Sequence, residues 1–545
     1  AKVIVDISAY NVDKIFNYSI PDNLNSELEI GNAVQVPFGN RRITGYIVGF
    51  TENPDIERSK IKNIEKKVLE EKLFDEKMLK LFKWMASYYH SYLIKIIKTA
   101  IPAGVVQGRV GIKEKSFIRL AQTKKETRTI IKKIENRAPK QSQVLQILVE
   151  NQKKEYTVSD LSDAADCYRG AVYSLIDKDY LEYYSRIQKR TPYMEKDKKE
   201  SKFLTPTPHQ KKAIKSISQN IDKNIFDIFL LHGVTGSGKT EVYLNIIQQN
   251  LQNGKGSIML VPEISLTPVM VKRFYSRFGK KIAVFHSGLS RGERYDEWRR
   301  IKKGEAKIVI GARSAVFSPV QNLGLIIIDE EHENSYKQTE YPHYHARRVA
   351  YVRGKLNQAP VVLGSATPSL ETYYYSQENY IKYLSLPERI NSRKLPPVEI
   401  VDMREELEEG NTGIFSNKLK SSINQALSRN EQVLLFLNRR GYSSFILCRE
   451  CGQVLKCNNC DISLTYHSDK EILKCHYCDY TRKIPDRCPE CNSKYIKDFG
   501  VGTQKIEEQA KKEFPEANID RMDVDTTTRK GSHRKILKKL ENGRS

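Results

Sequence analysis

Long apolar runs are missing from this chain. Nothing in its 545 residues approaches the ~18–20 consecutive apolar side chains that cross a bilayer, so no membrane helix is expected. A disulfide framework is excluded as well. Eight of the nine cysteines lie between Cys448 and Cys491, and Cys167 is left alone, a distribution that fits a reducing compartment. Acidic residues are scarce beside basic ones, 66 against 91, which gives a formal charge of +25. That balance points to a polyanionic partner, nucleic acid before others. No long internal repeat is found, which excludes a solenoid. The amino end, Ala1-Lys-Val-Ile-Val-Asp6, has a charge at its second position and no signal-peptide architecture, so a cytoplasmic chain is expected.

What is present begins with Gly233-Val-Thr-Gly-Ser-Gly-Lys-Thr240, which fits the phosphate-loop pattern G-x-x-x-x-G-K-[ST]. The apolar run Ile225–Leu231 precedes it and Glu241–Ile247 follows, so it sits at a strand-to-helix turn. Small residues (Gly233, Thr235, Gly236, Ser237, Gly238) let backbone N–H groups close around phosphate at a helix N-terminus. Lys239 brings charge to the β/γ phosphates, and Thr240 suits Mg²⁺. A second segment, Leu325-Ile-Ile-Ile328, reads as a buried strand that ends in Asp329-Glu-Glu-His332. It places two carboxylates at the carboxyl edge of a parallel sheet, where ligands of open α/β folds gather. Asp329 is expected to hold the Mg²⁺ shell and Glu330 to orient or deprotonate water. Asp-Glu-x-His is also the box of superfamily 2 helicases.

The fold class expected is multidomain α/β. Alternating Val3, Val5 and Ile7 and the turns around Gly31–Gly39 predict a small β-rich domain over 1–105. An aromatic helix bearing Trp84, Tyr88, Tyr89 and Tyr92 closes it, and core packing explains that stripe better than base stacking does. Residues 106–200 read as a winged helix and linker, with helices at Gln141–Glu150, from Thr157, and at Tyr168–Ile176, then a short strand at Lys178–Tyr184. Residues 201–395 read as a doubly wound, RecA-like lobe. A second such lobe is expected at 396–446 and again at 498–545, incomplete, with Gln432–Leu437 as its first clear strand.

A cysteine-rich module over 447–497 interrupts that second lobe. Its four knuckles are Cys448/Cys451, Cys457/Cys460, Cys475/Cys478 and Cys488/Cys491. Two knuckles make one tetrahedral Cys₄ site, so two Zn²⁺ are expected in a structural role. Four knuckles allow three pairings. The fourteen-residue spacer between Cys460 and Cys475 is of zinc-ribbon type, and nesting then pairs 448/451 with 488/491. His467 and His476 are expected to be bystanders.

Together these segments resemble the primosomal protein N′ (PriA) family of replication-restart helicases, along essentially the whole chain. The resemblance rests on Val34–Gly39 with Gly45–Val48, Gly233–Thr240, Val261–Thr267 and His286-Ser-Gly288. It continues through Gly311–Phe317, Asp329–His332, Gly364–Pro368, Asn438–Tyr442 and the eight-cysteine insertion. It implies an ATP-dependent 3′→5′ DNA helicase, acting at stalled or abandoned forks, that directs primosome assembly. Implied partners are forked and single-stranded DNA, single-strand-binding protein and helicase-loading proteins, with no membrane, for a chain acting as a monomer. A pocket for a DNA 3′ end is implied near Phe16, Asn17 and Tyr18; the family often carries an acidic residue where Asn17 stands.

Gln210, upstream of the phosphate loop, suits adenine recognition. Arg313 and Ser314 suit DNA phosphates, while Ser365, Thr367 and His332 suit coupling of nucleotide state to lobe closure. Tyr341–His345 beside Arg347 and Arg348 has the composition of a strand-stacking surface. The family's second-lobe Gln…Gly-Arg-x-Gly-Arg segment is not found in residues 501–545, although Gly502–Gln504 and Asp523–Asp525 resemble what leads up to it. A chain ending inside that lobe is expected. The alternative reading is a fork- and partner-binding platform that binds ATP and hydrolyses it poorly.

Overall fold

The computed structural model describes the chain apart from residues 8–12, 25–26, 55, 103–113, 152–154, 188–203, 263–267, 287, 391–395, 438–443, 468–471, 499–501, 524–525, 528–531 and 544–545. It divides into two compact units, Ala1–Lys394 and Leu395–Ser545.

The first unit opens with the expected period-two strands. β1 (Lys2–Val5), β2 (Phe16–Asn17), β3 (Ala33–Phe38), β4 (Arg41–Gly49) and β5 (Lys66–Lys67) form an antiparallel sheet in the order β2-β1-β4-β3-β5. Val3, Val5, Val34, Val36 and Ile47 are buried together on one side of it. α1 (Glu76–Tyr88) and α2 (Leu93–Ala100) follow. Asp75 caps α1 by accepting from the Met78 N–H, and Asp13 Oδ1 accepts from Leu93 N at 3.1 Å where α2 begins.

A separate small core lies within β6 (Glu114–Leu120), α3 (Lys124–Ile134), α4 (Pro139–Glu150), α5 (Val158–Ala164), α6 (Arg169–Asp177) and β7 (Leu181–Ile187). β6 and β7 pair antiparallel, and capping boxes at Thr123/Glu126 and Thr157/Asp160 start α3 and α5. β6 and α3 have no counterpart in the sequence reading. Their sequences, Glu114-Lys-Ser-Phe-Ile-Arg-Leu120 and Lys124–Ile134, are so rich in charge that the buried positions leave little periodic signal.

The remainder of the unit alternates helix and strand: α7 (Pro208–Lys223), β8 (Ile228–Gly233), α8 (Lys239–Gln252), β9 (Gly256–Leu260), α9 (Pro268–Phe278), β10 (Ile282–Phe285) and α10 (Arg291–Lys302). After them come β11 (Ile308–Gly311), β12 (Leu323–Asp329), α11 (Ala346–Asn357), β13 (Val361–Ser365), α12 (Leu370–Gln377) and β14 (Lys382–Leu386). The seven strands are all parallel, in the order β10-β11-β9-β12-β13-β8-β14. Strands buried on both faces read as continuous apolar runs, as Leu325–Ile328 does. The order sets the carboxyl ends of β8, β13 and β12 side by side, with Asp329 opposite Gly364 and Ser365 opposite His232.

The second unit holds α13 (Met403–Glu408), α14 (Asn417–Ser428), β15 (Ser444–Cys448), β16 (Thr465–His467), β17 (Ile472–Lys474), β18 (Thr481–Lys483), β19 (Ile496–Asp498), α15 (Thr503–Glu513) and α16 (Ser532–Glu541). Its sheet runs β18-β17-β16-β15-β19 through the cysteine module. Gln432–Leu437 corrects the sequence reading. It is not assigned to a strand, and Leu434 and Phe436 stand 86% and 83% exposed. Composition gives a segment the character of a buried parallel strand, but a strand also needs neighbours to pair its amides and carbonyls, and none pairs with it among the described residues. No helix of the described residues is long and apolar enough to cross a membrane.

Candidate functional site

The three adjacent strand ends converge on the phosphate loop. Gly236 and Gly238 take left-handed φ values of 84° and 81°, which a side chain would resist. α8 then starts at Lys239, which aims the loop's N–H groups and the helix N-terminus at one point. Lys239 Nζ donates to Gly233 O at 2.9 Å and lies 3.9 Å from Glu330 Oε1. Ser237 is buried and its Oγ has no partner among the described residues, whereas Thr235 and Gly236 are exposed.

Asp329 ends β12. Burial, and then the Glu330 carboxylate beside it, push its carboxyl up to about 6. Its Oδ1 accepts from Tyr243 Oη on α8 at 2.9 Å. That approach requires a glycine at 364, because a Cβ there would lie 1.6 Å from Tyr243 Oη. Glu330 holds a positive φ of 44°, an unfavourable backbone conformation for a non-glycine residue that turns the second carboxylate at the strand end. Glu331, the third carboxylate of the run, is buried. Its oxygens accept from Ser369 N at 2.7 Å, from Ser369 Oγ at 3.3 Å, from Thr372 Oγ1 at 3.0 Å, and from Arg347.

His332 Nδ1 meets Ser365 Oγ at 2.8 Å, and Ser365 Oγ also accepts from Thr367 N at 3.0 Å. The acidic strand end and the loop after β13 are therefore joined twice, through His332 and through Glu331. Gln210 is buried and both ends of its amide are used. Oε1 accepts from Thr207 N at 2.9 Å in a capping box, and Nε2 donates to Ser237 O at 2.8 Å. Arg313 donates to Ser335 O at 3.1 Å and to Lys337 O at 2.7 Å, and its guanidinium lies over the Tyr344 ring. Ser314 is exposed. In the Tyr341–His345 loop, Tyr344 is core, while Tyr341 and His345 meet the aromatic stripe of the first helices.

Phe16 packs edge-on against Phe38, Tyr18 is buried with its hydroxyl on Pro37 O at 3.1 Å, and Asn17 Oδ1 is enclosed without a partner among the described residues. Residues 263–267, Ser287 and Asn438–Tyr442 lie outside the described residues.

In the second unit the eight cysteines form two tetrads, 448/451/488/491 and 457/460/475/478, with the sulfurs of each within 4.8 Å of one another. Cross-knuckle pairs Cys448–Cys491, Cys451–Cys488 and Cys457–Cys478 stand at 3.6 Å. Sulfurs in a tetrahedral Zn²⁺ site with bonds of about 2.3 Å stand roughly 3.8 Å apart, so the donor set fits. His467 and His476 face each other, Nε2 to Nε2 at 3.2 Å, outside both tetrads.

Three family models match the chain: a 3′ DNA-binding domain (3′BD) over residues 2–102, a DEAD/DEAH box helicase over 207–374, and a PriA DNA helicase Cys-rich region domain over 457–483. The replication restart protein PriA of Bacillus subtilis (strain 168) is 40% identical, over 100% of this chain and 75% of that protein. The chain belongs to the PriA family. The PriA of Synechocystis sp. is 38% identical over 100% of this chain and 74% of its own length, and that of Haemophilus influenzae 34% over 100% and 73%. As a PriA family member with a DEAD/DEAH lobe, the chain is an ATP-dependent DNA helicase of replication restart, with a zinc-binding Cys-rich module.

Tyr243, Glu331 and Arg347 are the site residues that the sequence reading missed as contributors. Tyr243 and Arg347 touch the acidic box from 86 and 16 residues away, and no spacing rule reaches them.

Proposed function

We propose that the chain hydrolyses ATP between the phosphate loop and the Asp329–Glu330 strand end and uses it to move 3′→5′ along DNA at abandoned forks. The observation that carries this reading is the convergence of Lys239, Glu330, Asp329 and the His332–Ser365 contact at three neighbouring strand ends. Lys239 neutralises the β/γ phosphates. Thr240 and the Asp329 oxygen that Tyr243 leaves free would hold Mg²⁺, which supplies charge stabilisation at the phosphoryl group. Glu330 orients the attacking water and takes its proton. When γ-phosphate leaves, Ser365, Thr367 and His332 pass the change to the loop after β13.

Gln210, fastened to Ser237 O, sets the height of the loop and flanks the adenine. Phe16, Asn17 and Tyr18 border the 3′-end pocket, Arg313 and Ser314 lie along the strand, and residues 106–200 act as a winged helix on fork DNA. The zinc module is a rigid platform for duplex separation and for single-strand-binding and helicase-loading proteins, in the cytoplasm.

The test is ATP hydrolysis by the chain with and without forked DNA that carries a 3′ leading-strand end, with Lys239→Ala as the blank. Strong stimulation that the variant abolishes is expected. Fork binding with turnover at the blank would reject the motor and leave a DNA-binding platform.

A further inference from the structure

We propose that Arg389 is a further ligand of the nucleotide's phosphates, supplied by the segment that leaves the last strand of the lobe. The proposal rests on the ATP-site reading above and adds a residue to it. After β14 the chain runs along the phosphate loop: Leu386 O accepts from Val234 N at 3.3 Å, and Ile390 N donates to Gly236 O at 3.0 Å. The stem of Arg389 lies against the loop, since a Cβ on Gly236 would stand 3.8 Å from its Cγ and 3.9 Å from its Cδ. Its Nε is enclosed and has no hydrogen-bond partner among the described residues.

Other enclosed guanidinium groups of the lobe each keep at least one partner among the described residues, even where a further nitrogen goes without, as in Arg277, which pairs with Glu241, and Arg353. Arg300 pairs with Glu297, Arg347 with Glu331, and Arg353 donates to the carbonyls of Val316 and Ser318. Arg389 is thus a cation set against a polyanion-binding loop with its enclosed nitrogen unanswered. An enclosed donor left without a partner is met when a ligand arrives, and a di- or triphosphate is the partner that this loop admits. A planar guanidinium also matches the paired oxygens of a phosphate.

Position separates its task from that of Lys239. Lys239 faces Glu330, toward the reacting end. Arg389 enters with Ile390, whose side chain borders Gly238 together with Gln210 Nε2. Arg389 therefore meets the phosphates that ADP retains, and its contribution is the same before and during hydrolysis. Uniform binding of that kind lowers KM and leaves kcat alone.

The experiment measures fluorescent-ADP (mant-ADP) affinity, nucleotide-free melting temperature and forked-DNA-stimulated kinetics for the full chain, Arg389→Ala, Arg389→Lys and Lys239→Ala. Arg389→Ala is expected to weaken ADP about tenfold or more and raise the KM for ATP alike, with kcat within about twofold. Arg389→Lys should recover part of the affinity, and the nucleotide-free melting temperature should not fall. Unchanged ADP affinity in Arg389→Ala overturns the proposal, as does a lowered melting temperature without nucleotide, which would mark a structural role. If the unaltered chain fails to bind ADP, or Lys239→Ala binds it equally well, the phosphate-loop reading itself fails and Arg389 falls with it.

Discussion

Glu331 is the third carboxylate of an acidic run, and at the residue scale it behaves unlike its neighbours. Asp329 and Glu330 present oxygens to the phosphate loop, while Glu331 turns inward to Arg347, Ser369 and Thr372. Removing its charge would leave the Arg347 guanidinium without its counter-ion in a largely enclosed place. Glu331→Gln is expected to cost about 3 kcal/mol of stability, read as an earlier urea midpoint, and also to weaken DNA stimulation of ATP turnover. Tyr243 and Arg389 belong to the same class of residue. Each sits near the chemistry because parallel strand order brings distant segments together. The phosphate loop and the Asp329–Glu330 pair were legible because one strand, one turn and one helix fix all their atoms within a few residues. Long-range partners leave no local pattern to read.

At the scale of elements, the zinc module was the most legible part and the second lobe the least. Knuckle spacing marked all eight thiolates and favoured the nested pairing among three, because a tight turn holds two thiolates whatever surrounds it, and the structure brings the nested tetrads together. Strand character in Gln432–Leu437 was legible, but its pairing was not, since a strand is defined by neighbours that composition does not specify. Within the module, small hydrophobic residues such as Ile446, Leu464 and Leu473 share a core with Cys457 and Cys475. A core of that size cannot hold the sheet alone, so metal binding and local folding are one process. Metal analysis is expected to return two zinc ions per chain. Cys457→Ser should lose one of them and raise hydrogen exchange across β16–β18 while β8 and β12 stay protected. Full retention of both ions in that variant would reject the tetrad assignment.

At the scale of the first unit, a seam joins the amino-terminal domain to the α/β lobe. Tyr89 Oη accepts from His345 N at 3.1 Å, Tyr341 Oη accepts from Tyr92 N at 3.0 Å, and the side chains of α1 and α2 belong to the same core as Phe317, Tyr344 and Val349. The aromatic stripe is therefore packed against the lobe, in keeping with a core role, with Tyr88 alone of its four rings more than half exposed. Burial above all, then Arg347, Lys337 and Arg348, hold His345 down at about 4, below the ordinary 6.5. Between those values the unfolded chain takes up the proton and the folded chain does not. Stability is then fully kept above about pH 6.5 and falls as pH drops toward 4. His345→Asn, which preserves an acceptor for the Arg347 N–H, should flatten that loss in urea titrations at pH 7 and pH 5.

The seam has a further consequence for how such a molecule can change over time. A domain matching the 3′ DNA-binding model that shares its interior with a motor cannot be traded as a bead on a string. Excised alone, the lobe would bare the surfaces that Leu81, Phe82, Met85, Ile94 and Ile97 now help to cover, and the sensor and the engine must drift, substitution by substitution, as one inherited object.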